Sequence, residues 1–322
     1  MRLRQLLALL LALALTGFAL PLHTPPAFAQ SSTAEMPPMP RPRPLGLPAE
    51  PTVPPAAGAA AAAAIDAVTS VPQPVTLTAH IVPDGAPIPD GVVWRVFEST
   101  AGADGEMALM AKSDQGVAEL NLPPGEYVVH AAYGRAQISE SMSVVPGANA
   151  YDFVLDAGAL RLNSAVTGDI PIPPAMLKFD IFVGDDANRA MVAEGLLPND
   201  IVTLNAGTYH IISHFGTVNA IVRADLRVEP GQLTDATLYH HASQIAFKLV
   251  SEANGEAIAD VEWTVKTADG ETVFTDLGAF PSTVLAEGDY LVFAKQGDQV
   301  FNREFQVSAG SPREIEVLTT VY

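Results

Sequence analysis

The residues of this chain whose types and spacing could do chemistry are its histidines, a set of turn-flanking aspartates and two tryptophans. His210 and His214 stand four apart, and His240 and His241 are adjacent. On a helix the first pair would converge on one metal ion. On a strand it shares a face but spans about 13 Å, because each residue advances about 3.3 Å, whereas zinc bonds are about 2 Å long. Adjacent His240 and His241 would point to opposite faces of a strand. The histidines therefore read as solvent-facing strand residues. A metal site assembled between units is the arrangement left open, and neither metal nor cofactor is expected.

Trp94 and Trp263 are flat rings of the kind that could stack on a sugar in an exported protein. They occupy equivalent places in a repeated unit, with Phe179 in the third copy of that place, and a ring repeated on a core strand reads as packing. Hydrolysis fails earlier: there is no G-x-S-x-G, no H-E-x-x-H and no cysteine. Asp84, Asp90, Asp185 and Asp186 sit beside Gly, Pro or Asn in turn-like stretches, where aspartate usually bonds its own backbone. The chain is expected not to be an enzyme.

The elements that must position these residues are written three times. Leu122 to Val129, Leu204 to Ile211 and Leu285 to Val292 share the pattern L-x-x-G-x-Y-x-aliphatic, carried by Gly125 and Tyr127, Gly207 and Tyr209, Gly288 and Tyr290. Glycine spacings of 82 and 81 make this a tandem array of domain-sized units. Glycine admits a sharp corner, and the tyrosine two residues on can pack inward while its hydroxyl bonds back to nearby backbone, the tyrosine corner of Greek-key sandwiches. First strands run through Val75-Thr-Leu77-Thr-Ala79, Leu160-Arg-Leu162-Asn-Ser164 and Ile245-Ala-Phe247-Lys-Leu249, and a third strand carries Trp94, Phe179 or Trp263. Asp-Gly and Asn-Gly pairs between short alternating runs supply hairpin turns. The class is all-β, three tandem Greek-key sandwiches of immunoglobulin-like or transthyretin-like type. A brief helix over Ala187 to Leu197 and a longer hairpin before Gly231, where the second unit carries two extra residues, are the departures expected.

Leu122-Pro-Pro-Gly-Glu-Tyr-Val-Val, Gly85-Ala-Pro-Ile-Pro-Asp-Gly-Val and Gly255-Glu-Ala-Ile-Ala-Asp-Val-Glu-Trp263 resemble the recurrent stretches of the transthyretin-like family that includes carboxypeptidase regulatory-like and Cna-B-like domains. The resemblance covers residues 74 to 322 and is weakest at Gly168-Asp-Ile-Pro-Ile-Pro-Pro. It implies non-catalytic modules. Cna-B-like members can carry a lysine crosslink to Asn or Asp. Here the first unit has no lysine on its first strand, and the third unit has Lys248 but its last strand, Arg313-Glu-Ile-Glu-Val317, offers no Asn or Asp partner, so the crosslink does not carry over.

Met-Arg-Leu-Arg, an apolar run from Leu6 to Leu20 and Ala27-Phe28-Ala29 match a secretory signal, residues 1–29, with an uncleaved anchor as the alternative. Residues 30–73, rich in Pro and Ala, read as a disordered linker, and the PxxP spacing leaves open a partner groove. The units fall at 74–157, 158–241 and 242–322. With no cysteine there is no disulfide-linked oligomer, and stability must come from cores. Loss of Arg2 and Arg4 with the signal takes the formal charge from −19 to −21, which disfavours nucleic acid and anionic lipid, and no membrane insertion of the mature chain is expected. These features point to a periplasmic protein, or one released to the medium, that serves as a structural or protein-binding rod. A glycan-binding protein of wall or capsule polysaccharide, and an enzyme accessory or inhibitor module, are the alternatives. The partner is thus an unidentified envelope protein or glycan. The surface peculiar to the second unit, His210, His214, Asp185 and Asp186, is where its specificity would lie.

Overall fold

The computed structural model describes residues 70–185 and 188–319. Residues 1–29, expected to be a secretory signal, almost all of the Pro/Ala-rich segment, Asp186, Ala187 and residues 320–322 lie outside the described residues. Alternation builds the first strand: β1 (Gln73–His80) buries Val75, Leu77 and Ala79 and leaves Thr76 and Thr78 half-buried on its other face. It is followed by β2 (Asp90–Ala101), β3 (Met107–Gln115), β4 (Val117–Leu122), β5 (Gly125–Tyr133), β6 (Ala136–Val144) and β7 (Asn149–Val154). These form two sheets, β4-β1-β7 and β3-β2-β5-β6, enclosing one core.

The same plan recurs twice. The second sandwich comprises β8 (Ala157–Val166), β9 (Ile170–Pro171), β10 (Leu177–Val183), β11 (Ala190–Leu196), β12 (Ile201–Asn205), β13 (Gly207–Phe215), β14 (Ile221–Val228) and β15 (Leu233–His240). Its sheets are β12-β8-β15, with β9 beside β8, and β11-β10-β13-β14. The third comprises β16 (Ala242–Val250), β17 (Glu262–Thr267), β18 (Thr272–Leu277), β19 (Ser282–Ala286), β20 (Gly288–Gln296), β21 (Gln299–Val307) and β22 (Arg313–Leu318), in sheets β19-β16-β22 and β18-β17-β20-β21. In each sandwich the last strand runs parallel to the first, closing the small sheet across the whole module.

Two expectations are corrected here. Residues 190–196 form the edge strand β11, not a helix: they pair with β10 through two register shifts, and Gly195, at φ 66°, donates its N–H to Asp180 Oδ1 at 2.8 Å. Pairing satisfies backbone groups of β10 that a helix would leave open. The strand carrying Trp94 or Trp263 is the second of its unit: Pro83, Pro87 and Pro89 leave the preceding stretch of the first sandwich only an isolated bridge, His80 to Pro87, and residues 251–261 form no strand in the third. The hairpin between β13 and β14 is indeed longer, spanning Gly216 to Ala220 where the equivalent turns hold only Gly134-Arg135 and Gly297-Asp298.

The joints leave almost no free chain: Leu155 and Asp156 separate β7 from β8, and His241 alone separates β15 from β16. Each is clasped by an asparagine. Asn205 Oδ1 accepts from Gln137 N at 3.0 Å while its Nδ2 donates to Gln137 O and Leu155 O at 3.1 and 2.8 Å. Across the next joint, Asn219 Oδ1 accepts from Ala286 N at 2.9 Å and its Nδ2 donates to the Tyr290 hydroxyl at 2.8 Å. Glycine lets the hairpins come close. A Cβ on Gly216, at φ 73°, would fall 2.8 Å from Val284 Cβ, and Val284 itself sits in the core of the second sandwich.

Candidate functional site

The tyrosines hold the corners. Tyr127, Tyr209 and Tyr290 donate their hydroxyls to the carbonyls of Pro123, Asn205 and Ala286, four residues back, at 2.8, 2.9 and 2.9 Å. Burial pushes each phenol's pKa upward, which keeps it a protonated donor. Trp94, Phe179 and Trp263 have no exposed surface and stand directly across the sheet from Ala131, Ser213 and Ala294. Each large ring needs a small neighbour on the same face, which explains the small residue four positions past every tyrosine. The indole N–H groups donate to Gln115 O and Gly278 O at 2.9 and 2.8 Å. As placed, neither indole can stack on a sugar.

His210 and His214 project from the outer face of β13 and are not brought together. His214 Nε2 lies 2.9 Å from Asp180 Oδ2. His210 Nδ1 contacts Asp225, and its Nε2 lies 2.7 Å from Gly184 O. Two acceptors on one ring favour the doubly protonated imidazolium, and the Asp225 carboxylate, helped by the Gly184 carbonyl, raises the His210 pKa. Asp185 Oδ1 accepts from Asn188 N at 3.0 Å, a local turn contact, and Asp186 lies outside the described residues. Among the described residues no three metal-ligating side chains cluster.

His240 contradicts the reading of the histidines as solvent-facing. It is 1% exposed, and its Nε2 lies 2.8 Å from Ser213 Oγ, which lies 2.9 Å from Ser164 Oγ. The parallel register of β15 on β8 turns Leu238 and His240 inward and leaves His241 outside near Glu287. Edge-on packing against Phe215, with ring centroids 5.8 Å apart, completes the site. The first sandwich holds Ala79, Ala131 and Leu155 at the corresponding places, all buried and apolar. Burial, with a smaller contribution from His214, lowers the His240 pKa to about 4, so the ring is neutral at pH 7. A hydroxyl–imidazole pair suggests nucleophilic chemistry, but Ser213 has no exposed surface, so no substrate atom reaches its Oγ. The arrangement is a hydrogen-bonded polar inset in an apolar core. Ser213 is readable in the sequence as the small residue four positions past Tyr209; its partners across the core are not, because they depend on which strands meet.

Lys248, on the outer face of β16, bridges Glu314 and Glu316 at 2.8 and 2.9 Å. No helix among the described residues is long and apolar enough to cross a membrane.

Residues 244–319 match the family described as the Rhizobiales growth-associated tandem repeat domain. No curated protein matches the chain. Among solved structures, the Bacillus anthracis TIE protein is 16% identical over 77% of this chain and 50% of its own, with a TM-score of 0.24. This chain therefore spans half the length of that protein. The minor pilin of Streptococcus agalactiae is 15% identical over 52% of this chain and 95% of its own, at a TM-score of 0.31. The major pilin of Bacillus cereus is 13% identical over 77% and 100%, at 0.23. The fold rests on the strand pairing itself, and none of these likenesses bears on activity.

Proposed function

We propose that the chain is an exported, non-catalytic protein of the bacterial cell envelope whose three sandwiches act together as a structural or protein-binding rod. The observation that carries this reading is the pair of joints, where asparagine clasps and a shared core residue leave no flexible linker. Modules joined in this way hold their spacing, which is what a scaffold needs and a set of independently tumbling domains does not supply. The secretory pattern at residues 1–29 supports export, with the periplasm as the proposed address. The match of the third sandwich to a tandem repeat domain supports its reading as one repeated module of such an array. Small-angle scattering of the exported chain tests it: a maximum dimension fitting three sandwiches in line supports the rod, and a compact particle removes it.

A further inference from the structure

The outer face of the sheet β3-β2-β5-β6 carries a basic row that neither other sandwich has. Lys112 on β3 lies directly across from Arg95 on β2, and Arg95 directly across from His130 on β5. At the places of Arg95 and His130 the second sandwich holds Asp180 and Ile212, and the third Thr264 and Phe293. Directly opposed like charges weaken a sheet. Among the described residues neither Arg95 nor Lys112 has a side-chain hydrogen bond or ion pair. His130 is held by Ser139 Oγ at 3.0 Å, and burial followed by the Arg95 charge lowers its pKa, leaving Arg95 and Lys112 as the cations of the row.

The row ends at a free edge. β3 is an outer strand of its sheet, and the β2–β3 hairpin runs past Glu98, where pairing with β5 stops, as far as Ala101 opposite Met107. On that strand Met107, Leu109 and Met110 are 42%, 51% and 40% exposed. A lone edge lysine would serve to discourage strand pairing. Arg95, on an interior strand, serves no such end. Unpaired cations beside an apolar edge, in a chain of formal charge −19, are complementary to carboxylates presented on an extended backbone.

We propose that this edge binds an extended acidic segment of a partner protein, which adds as a further strand beside β3 and lays its carboxylates against Lys112 and Arg95. The proposal deepens the protein-binding side of the rod, and it stands even if the sandwiches prove loosely joined.

The probe is a fluorescent peptide alternating glutamate with valine, titrated with the full mature chain and followed by anisotropy. The expected result is binding that weakens with salt, is absent for the lysine–valine counterpart and is lost when alternate peptide nitrogens are methylated. The Arg95→Glu/Lys112→Glu double variant, checked to melt like the parent, is expected to bind at least about tenfold more weakly. Binding undiminished in that variant, or equal for the lysine peptide, overturns the proposal. Dextran sulfate competing as well as the peptide, together with indifference to N-methylation, would show simple polyanion attraction and overturn strand addition.

Discussion

Ser213 Oγ lies 2.8 Å from His240 Nε2 in the core of the second sandwich, where the first sandwich has buried Ala131 and Leu155 at the corresponding places. One module of an otherwise repeated plan has thus exchanged an apolar trio for a serine–serine–histidine chain. The ring must be neutral to stay there. Its pKa of about 4 in the fold, against an ordinary 6.5, fixes the sign of the consequence. The unfolded chain binds the proton more tightly. The stability of the neutral buried ring is therefore complete above pH 6.5, falls as the pH drops toward about 4, and levels off below that. A gap of this size corresponds to about 3 kcal/mol. Denaturant unfolding at neutral pH and near pH 4 should show this loss for the parent. It should shrink in the triple variant Ser164→Ala/Ser213→Ala/His240→Leu, which still carries the acid-sensitive Lys248–Glu316 pair. Equal acid losses in the two proteins would show that His240 does not titrate as described.

The buried indoles make a second test. Trp94→Ala or Trp263→Ala should each cost about 3–5 kcal/mol, because both rings are fully enclosed and the cavity left behind cannot fully collapse. Phe179→Ala should fall in the same range. If either tryptophan variant kept its melting temperature while losing affinity for a wall polysaccharide, the ring would have to be at the surface.

The three corner tyrosines differ in one contact. The Tyr127 hydroxyl donates to Pro123 O, whereas that of Tyr290 both donates to Ala286 O and accepts from Asn219 Nδ2 across the joint. Tyr127→Phe should cost about 1 kcal/mol, the usual net worth of one hydrogen bond. Tyr290→Phe should cost more, since it also strands the Asn219 amide, and the excess should vanish in an Asn219→Ala background. Calorimetry of the four proteins of that double-mutant cycle measures the coupling. Additivity would mean that the joint contact contributes nothing.

The sandwich class was legible because several independent signals agree: period-2 alternation in β1, β8 and β16, turn pairs between them, and a glycine–tyrosine phrase whose hydroxyl partner lies only four residues away. Each of these is a local relation, readable from spacing. What stayed hidden depends on which strands meet. His240 looks like its neighbour His241 until the parallel register of β15 on β8 turns it toward Ser213, a residue on the opposite sheet. The clasping asparagines are equally silent, because Asn205 and Asn219 sit on opposite sides of their joints and occupy no shared place in the repeat. β11 escaped notice because an edge strand with a positive-φ glycine and register shifts has weak alternation. The basic row of the first sandwich falls in the same class: Lys112, Arg95 and His130 are scattered in sequence and become neighbours only across three strands.

Coupling of the three sandwiches into one body is tested most directly by pulsed dipolar spectroscopy. The chain has no cysteine, so Ser139→Cys on β6 and Thr275→Cys on β18 would carry the only spin labels. The expected result is one narrow distance distribution between first and third sandwiches, broadening when Asn205→Ala and Asn219→Ala remove both clasps. A broad distribution in the parent protein, unchanged by those substitutions, would contradict it.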